Sequence, residues 1–276
     1  MESPFRLRNP KAGTEFRRLG DFLALYHAAR DQDAYWAGYW RGFDFGALQA
    51  SPGFSALGEL AGVFRQYLTP GFRVVEAGCG AGRVVAALKA EGLEVVGFER
   101  SALVVDAVRS GAGFLDVRRG DVENLDLDAE SVEAYISLGV IEHNQLGPQK
   151  ALEEAARVLV PGGVALVSVP YLNPQRNRHL ERLREDDTSD LGFHQYYFGV
   201  QQLDQALAEA GFLVKDHFPY AIEGFLTREH AMFSRFWRSS LCRQRIKRPI
   251  RSRLAGAGIR LRWRFAHMLL AVGVRT

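Results

Sequence analysis

Residues 74–83 read VVEAGCGAGR, and this stretch limits the fold more than any other. Two valines run into an acid, and Gly78, Gly80 and Gly82 then fall at alternate positions. An apolar β-branched run that breaks into glycines and then into a helical pattern is a buried strand turning sharply into a helix. Glycine at such a turn lets backbone approach a ligand and aims the first helical N–H groups at it. The alternation repeats from 71 to 170. "FRVVEAG", "LEVVGFE", "EAYISLG" and "GGVALVSVP" are runs suited to strands covered on both faces, and "FLDVRRGD" is a weaker one. Between them, "RVVAALKAEG" sets Val84, Val85 and Leu88 on one helical face and stops at Gly92. "SALVVDAVRSG" opens on an N-cap serine and ends at Gly111, and "GPQKALEEAARVL" has Pro148 in its first turn. Strand–helix alternation predicts an α/β fold, a parallel sheet with helices on both faces.

Outside that core, residues 1–70 are rich in aromatics and predict an N-terminal helical cap, notably "DAYWAGYWRGFDFG". "NPQRNRHLERLREDDTSD" reads as a loop or site cover. "GVQQLDQALAEAGF" reads as an amphipathic helix, and "FLVKDHFP" and "AHMLLAVGV" as strands. The expected organisation is a cap over 1–70 and one α/β domain over 71–276 with an insertion at about 221–266. There is no run of 18 apolar residues to span a bilayer, and "MESPFRLRNP" lacks an apolar signal core. Cys79 and Cys242 are the only cysteines, one of them inside the glycine turn. No structural disulfide and a cytoplasmic setting are therefore expected, and no zinc spacing is visible.

Charge is distributed unevenly. The net charge is +3, yet residues 228–276 hold 13 Lys/Arg and one acid, Glu229, against 22 bases and 31 acids elsewhere. A basic segment on an acidic body has three readings, of which a solvated surface without a partner is the first. "FSRFWRSSLCRQRIKRPIRSRL" interleaves aromatics with arginines, as an interfacial segment does. A membrane-surface or lipid-linked acceptor site is thus the second reading, and nucleic-acid binding is the third and least favoured. "IRLRWRF" strictly alternates, so it also suits an extension of the last strand.

Dinucleotide sites use G-x-G-x-x-G with a pyrophosphate at the helix end. Here the third glycine comes one residue early, and Glu76 would repel a pyrophosphate. A carboxylate suits a cationic ligand instead; S-adenosylmethionine has an ammonium and a sulfonium and no phosphate. Glu99, 21 residues after Gly78, can accept both hydroxyls of a ribose. Asp121 can accept the amino group of an adenine, beside a backbone N–H from Val122.

"VVEAGCGAGR", "VVGFERS", "RGDVENLDL", "AYISLGVIEHN" and "ARVLVPGGVALVSVP" together resemble the consecutive motifs of class I S-adenosylmethionine-dependent methyltransferases, in the type 11/12 branch that includes the quinone-biosynthesis methyltransferases. The resemblance covers roughly 70–220. It implies a Rossmann-like fold with a seven-stranded, mostly parallel sheet and one antiparallel strand, in which "FLVKDHFP" and "AHMLLAVGV" are the last two strands. It implies that Glu76, Gly78, Gly80 and Gly82, with Cys79 among them, line the methionine half of the cofactor. Glu99, with Arg100 beside it, would hold the ribose, Asp121 and Val122 the adenine, and Leu138 and Gly139 would lie along the methionine. Helix–sheet packing is the competing role for Gly82.

The acceptor is less legible. Glu142 and His143 in "GVIEHN" and His194, Tyr196 and Tyr197 in "GFHQYYFG" fall where the family builds its acceptor pocket. Tyr35, Trp36, Tyr39 and Trp40 are candidates to cap the cofactor or simply to pack a helix. A hydroxyl acceptor needs a base, so His143, His194 and Tyr196 are the catalytic candidates. The expected function is methyl transfer, leaving S-adenosylhomocysteine, to a small-molecule or lipid-linked acceptor, with an anionic membrane surface as a further partner. RNA or protein methylation and a non-catalytic cofactor-binding subunit are the alternatives, and an NAD oxidoreductase is disfavoured by Glu76.

Overall fold

The structure, a computed structural model, describes residues 14–27, 35–36, 38, 40, 43–183, 191–239, 242 and 244–276. Its strands are β1 (Thr14–Leu19), β2 (Phe22–His27), β3 (Arg73–Ala77), β4 (Glu94–Glu99), β5 (Asp116–Arg119), β6 (Val132–Leu138), β7 (Leu159–Pro170), β8 (Gly192–Tyr197), β9 (Phe212–Tyr220) and β10 (Met268–Arg275). Its helices are α1 (Ala61–Tyr67), α2 (Arg83–Ala90), α3 (Ala102–Gly111), α4 (Gln149–Val158), α5 (Pro174–Leu180), α6 (Val200–Glu209), α7 (Ile222–Glu229), α8 (Ala231–Arg238), α9 (Gln244–Ala255) and α10 (Ile259–Phe265). The chain divides into two compact units.

One unit comprises Asp31–Ser168, Leu203–His217 and Leu270–Thr276. Its frame is a seven-stranded sheet in the order β5-β4-β3-β6-β7-β10-β9, mostly parallel with one antiparallel pair. The apolar runs of β3, β6 and β10 are continuous because both sheet faces are covered: Val75, Ala134, Tyr135, Ile136 and Leu270 are fully buried. The helices supply that cover through one apolar face each, Val85, Ala86 and Leu88 on α2 and Leu152, Ala155 and Val158 on α4. β6 and β7 change register between Val132 and Ala134, where the Pro161-Gly162-Gly163 turn is taken up within β7.

The other unit comprises Met1–Arg30, Val169–Gln202 and Phe218–Leu269. It holds a three-stranded sheet in the order β1-β2-β8, antiparallel throughout. Residues 14–27 are thus a hairpin and correct the expectation of a helical cap. Leu19 pairs with Phe22 across Gly20-Asp21, and Gly20 has φ +56°, which a two-residue hairpin turn requires. "GFHQYY" is β8. In the polar stretch after β7 a helix, α5, replaces the expected loop. Pro174 sits in its first turn, and the Asn173 side chain accepts the N–H groups of Gln175 and Arg176; residues 184–190 lie outside the described residues. "IRLRWRF" is helical, as α10, so the strand-extension reading falls. Its two i,i+4 pairs, Ile259/Trp263 and Leu261/Phe265, suit a helix as well as alternation suits a strand.

Candidate functional site

β3 pairs with β4 on one side and with β6 on the other, all parallel. Strand order reverses there, so the carboxyl ends of β3 and β6 flank the topological switch point, the usual ligand position in such sheets. The glycine turn follows β3. Gly78, Gly80 and Gly82 have φ of +79°, +51° and +77°, a region L-residues with a Cβ avoid. A Cβ on Gly78 would lie 2.4 Å from the Val140 side chain, and one on Gly80 2.4 Å from the Trp40 indole. On Gly82 it would meet Leu115 at 3.1 Å and Val117 at 3.6 Å. The first two glycines therefore form a bare-backbone cradle against which the Val140 and Trp40 side chains pack, whereas Gly82 lets α2 pack on the sheet. Gly97, inside β4, lies against this turn. A Cβ there would lie 2.7 Å from Cys79 Sγ, and a lone glycine inside the strand run "EVVGFE" is the signal for such a close approach. Burial pushes the Cys79 thiol well above its ordinary range, so it is inert packing under the turn.

Two carboxyl groups face the turn. Glu76 is 4% exposed, and its Oε2 accepts the Val85 N–H at 3.1 Å. Burial, with the nearby Glu99 charge adding, pushes it up to about 8 although the Val85 N–H pulls the other way. A cationic group brought beside it would offset that desolvation. Glu99 Oε2 accepts the Gly80 N–H at 3.1 Å, and Oε1 accepts the Ser101 N–H at 2.8 Å. Each oxygen keeps a second lone-pair direction, as a ribose diol needs. Ser101 thus engages Glu99 with its backbone, and its side chain makes no cap hydrogen bond. Arg100 and Asp121 are exposed and Val122 half-buried. Asp121 Oδ1 accepts the Glu123 N–H at 3.0 Å, which shapes the turn after β5. Leu138 and Gly139 end β6 half-buried, and Gly139 (φ +73°) donates its N–H to Ser168 O at 2.9 Å. The cradle, the buried acid and the part-engaged carboxylate fit a ligand with an ammonium and a ribose.

Past β6, a turn of 3-10 helix holds Ile141–His143. Glu142 is 2% exposed, its Oε2 has no hydrogen-bond partner, and burial pushes it up to about 8. His143 is half-buried; its Nε2 lies 3.8 Å from Glu142 Oε1, and its ring meets the edge of Trp36 at 5.0 Å. Trp36 and Trp40, one helical turn apart, thus reach His143 and Gly80 respectively; Tyr35 packs on Trp36, and Tyr39 lies outside the described residues. His194, Tyr196 and Tyr197 belong to β8 in the other unit. The buried His194 Nδ1 lies 3.0 Å from Nε2 of the buried His27. Tyr196 packs between Phe22 and Phe193. Tyr197 is buried, with the Arg176 guanidinium 4.4 Å from its ring centre.

The family profile described as "Methyltransferase domain" matches residues 75–167, the span that carries these elements. Over 147 residues the chain is 34% identical to a probable S-adenosylmethionine-dependent methyltransferase of Mycolicibacterium smegmatis, covering 52% of each chain. It is 33% identical over 121 residues to a probable tRNA methyltransferase 9B of Bos taurus (43% of this chain, 26% of that one). It is 29% identical over 161 residues to a ubiquinone biosynthesis O-methyltransferase of Chelativorans sp. (53% and 60%). The chain spans about half the length of the first of these, and less of the second. In fold it is similar to the putative methyltransferase solved with the Trm112 activator of Haloferax volcanii, with TM-score 0.53 at 20% identity over 90% of this chain and 99% of that one. Domain match, sheet order and glycine turn agree: residues 75–167 carry the methyltransferase domain of the class I S-adenosylmethionine-dependent methyltransferases.

Proposed function

We propose that this protein moves a methyl group from S-adenosylmethionine to an oxygen or carbon of a small-molecule or lipid-linked acceptor. The observation that carries the reading is the buried carboxyl of Glu76 beside a glycine cradle, with Glu99 ending the next strand. When bound, the cofactor supplies an electrophilic methyl on a sulfonium that leaves as neutral thioether. Glu76 holds the ammonium of its methionine half, with Gly78 and Gly80 giving backbone access and Leu138 and Gly139 alongside. Glu99 takes the ribose hydroxyls, and Asp121 and Val122 the adenine. In-line displacement then asks the chain mainly to position the acceptor and exclude water. For a hydroxyl acceptor, His143 or His194 takes the proton. The ubiquinone-biosynthesis relative supports a small-molecule acceptor, and the tRNA methyltransferase relative supports the RNA alternative.

Isothermal titration should show binding of S-adenosylmethionine and none of NAD; the reverse result overturns the assignment. Glu99→Ala removes two charge-assisted hydrogen bonds, each contributing about 1.5–3 kcal/mol. Its cofactor affinity should fall at least tenfold, and wild-type affinity would remove Glu99 from the ribose. With a hydroxyl acceptor in hand, single-turnover rates of His143→Ala and His194→Ala identify the base. A general base contributes roughly 10²–10⁴-fold; losses below about tenfold in both variants would mean that neither histidine is one.

A further inference from the structure

Between β9 and β10 the chain forms four helices, and the last three, α8 to α10, are unlike the rest of the surface. Residues 231–265 contain eleven Lys/Arg and no Asp or Glu. Arg251 pairs with Glu223. Arg235, Arg238, Arg245, Arg248, Arg253 and Arg260 are exposed, and no carboxylate lies within ion-pair distance of them among the described residues. The same segment carries Met232, Phe236, Ile246, Ile259 and Leu261, five of the nine large apolar side chains exposed among the described residues, Met232 at 76% and Ile259 at 61%. On α8 the two faces separate cleanly. Ser234 and Trp237 are buried, with Trp237 stacked on Phe233 at 5.3 Å, while Met232 and Phe236, at i and i+4, face out beside Arg235. No residue of α9 or α10 is buried.

Water alone gives no reason to pair exposed aliphatic side chains with unpaired arginines on consecutive short helices. An anionic bilayer does: apolar tips enter the headgroup–acyl boundary and guanidinium groups meet lipid phosphates. RNA satisfies only the second half. Bases stack on open aromatic faces, but Trp237 is turned inward under Lys247 and Arg251, and Trp263 packs on Tyr171. The exposed apolar groups are mostly aliphatic. No helix of the described residues is long and apolar enough to cross a membrane, so the attachment is to the surface.

We propose that α8, α9 and α10 form an interfacial module that seats the protein on anionic lipid surfaces through Met232, Phe236, Ile259 and Leu261 with the flanking arginines. This does not rest on the methyl-transfer reading, because residues 231–265 lie in the unit that does not hold the glycine turn.

Co-sedimentation with vesicles of phosphatidylglycerol and phosphatidylcholine, against phosphatidylcholine alone, tests it. Adsorption should occur only to the anionic vesicles and weaken as salt rises. Each arginine near the surface is worth about fivefold (about 1 kcal/mol), so Arg245→Gln/Arg248→Gln/Arg260→Gln should adsorb roughly a hundredfold less. Met232→Ser/Ile259→Ser/Leu261→Ser keeps the charge and should lose the part of adsorption that resists salt. Titration of S-adenosylmethionine in the same samples checks that each variant is folded and separates a failure of this module from a failure of the cofactor assignment. No adsorption of the wild type at low salt overturns the proposal. So does tight, salt-dependent binding of RNA without adsorption to vesicles, and so does equal adsorption to neutral and anionic vesicles.

Discussion

Glu229→Gln should destabilise the protein by about 3–5 kcal/mol, the cost of leaving a buried charge unpaired. Arg176 is fully buried on α5, and Glu229, 4% exposed, ends α7. Arg176 Nε reaches both Glu229 oxygens at 3.1 and 3.0 Å, and Nη2 also bonds Glu229. Nη1 donates to the carbonyls of Tyr171 and His267, the latter at 3.0 Å. Four guanidinium N–H groups, one of them shared between two oxygens, are thus committed in one place, which joins α5, α7 and the start of β10. His267 lies between Arg176 and Arg228; burial and the two positive neighbours hold its pKa well below the ordinary value, so it stays neutral. No second anion among these groups can take over from Glu229. Chemical denaturation followed through Trp237 and Trp263, both in this unit, measures the loss. A deficit under 1 kcal/mol would mean that water reaches the guanidinium. Arg176→Met/Glu229→Leu should recover part of the stability and not all, because an apolar pair removes the charge but orphans the two carbonyls.

The sheet was legible because its strands are covered on both faces. "RVVEA", "VEAYISL" and "MLLAVGV" are apolar over most of their length, and a glycine directly follows each of the first two. The hairpin of residues 14–27 was not. β1 is "TEFRRL", with only Phe16 and Arg17 buried, so it has almost no apolar signature. What marks it is Gly20-Asp21, a turn signal that the surrounding aromatics mask. α5 is hidden in the sequence for a related reason. Its sequence, "PQRNRHL", is polar, and its inward face holds Gln175 and Arg176, the latter paired with Glu229, 53 residues away. Among the site residues, Glu76 and Glu99 follow from strand ends and spacing. Trp40 over Gly80 and Trp36 against His143 are tertiary contacts that no local pattern encodes. Nor does any local pattern show that the second histidine candidate, His194, pairs with His27 across β2 and β8.

Glu76→Gln should make the protein more stable above pH 7 and a poorer binder of its cofactor. The buried carboxyl titrates at about 8 against an unperturbed 4.5. Between those values the folded chain keeps a proton that the unfolded chain has released, so stability falls as pH rises through the window and levels off above it. One such proton contributes a slope of up to about 1.4 kcal/mol per pH unit. Glutamine keeps an oxygen for the Val85 N–H and cannot ionise, so Glu76's share of the slope disappears. A residual slope should remain, because Glu142 is raised to about 8 by the same burial, and adding Glu142→Gln should remove it. The same shift sets the binding behaviour. At pH 6–7 Glu76 is protonated, and an ammonium placed beside it draws the carboxyl to its ionised form, so cofactor binding should release close to one proton. Titrations in two buffers of different ionisation enthalpy count that proton. Affinity should rise with pH in this range for the wild type and stay flat for Glu76→Gln, which loses a charge-assisted contact and should bind roughly 10- to 100-fold more weakly. Undiminished affinity in the variant, with no proton released by the wild type, would separate Glu76 from the ammonium. A stable, weakly binding variant is the other outcome, and it follows from one cause: the desolvation that destabilises the free protein is what the cofactor's charge relieves.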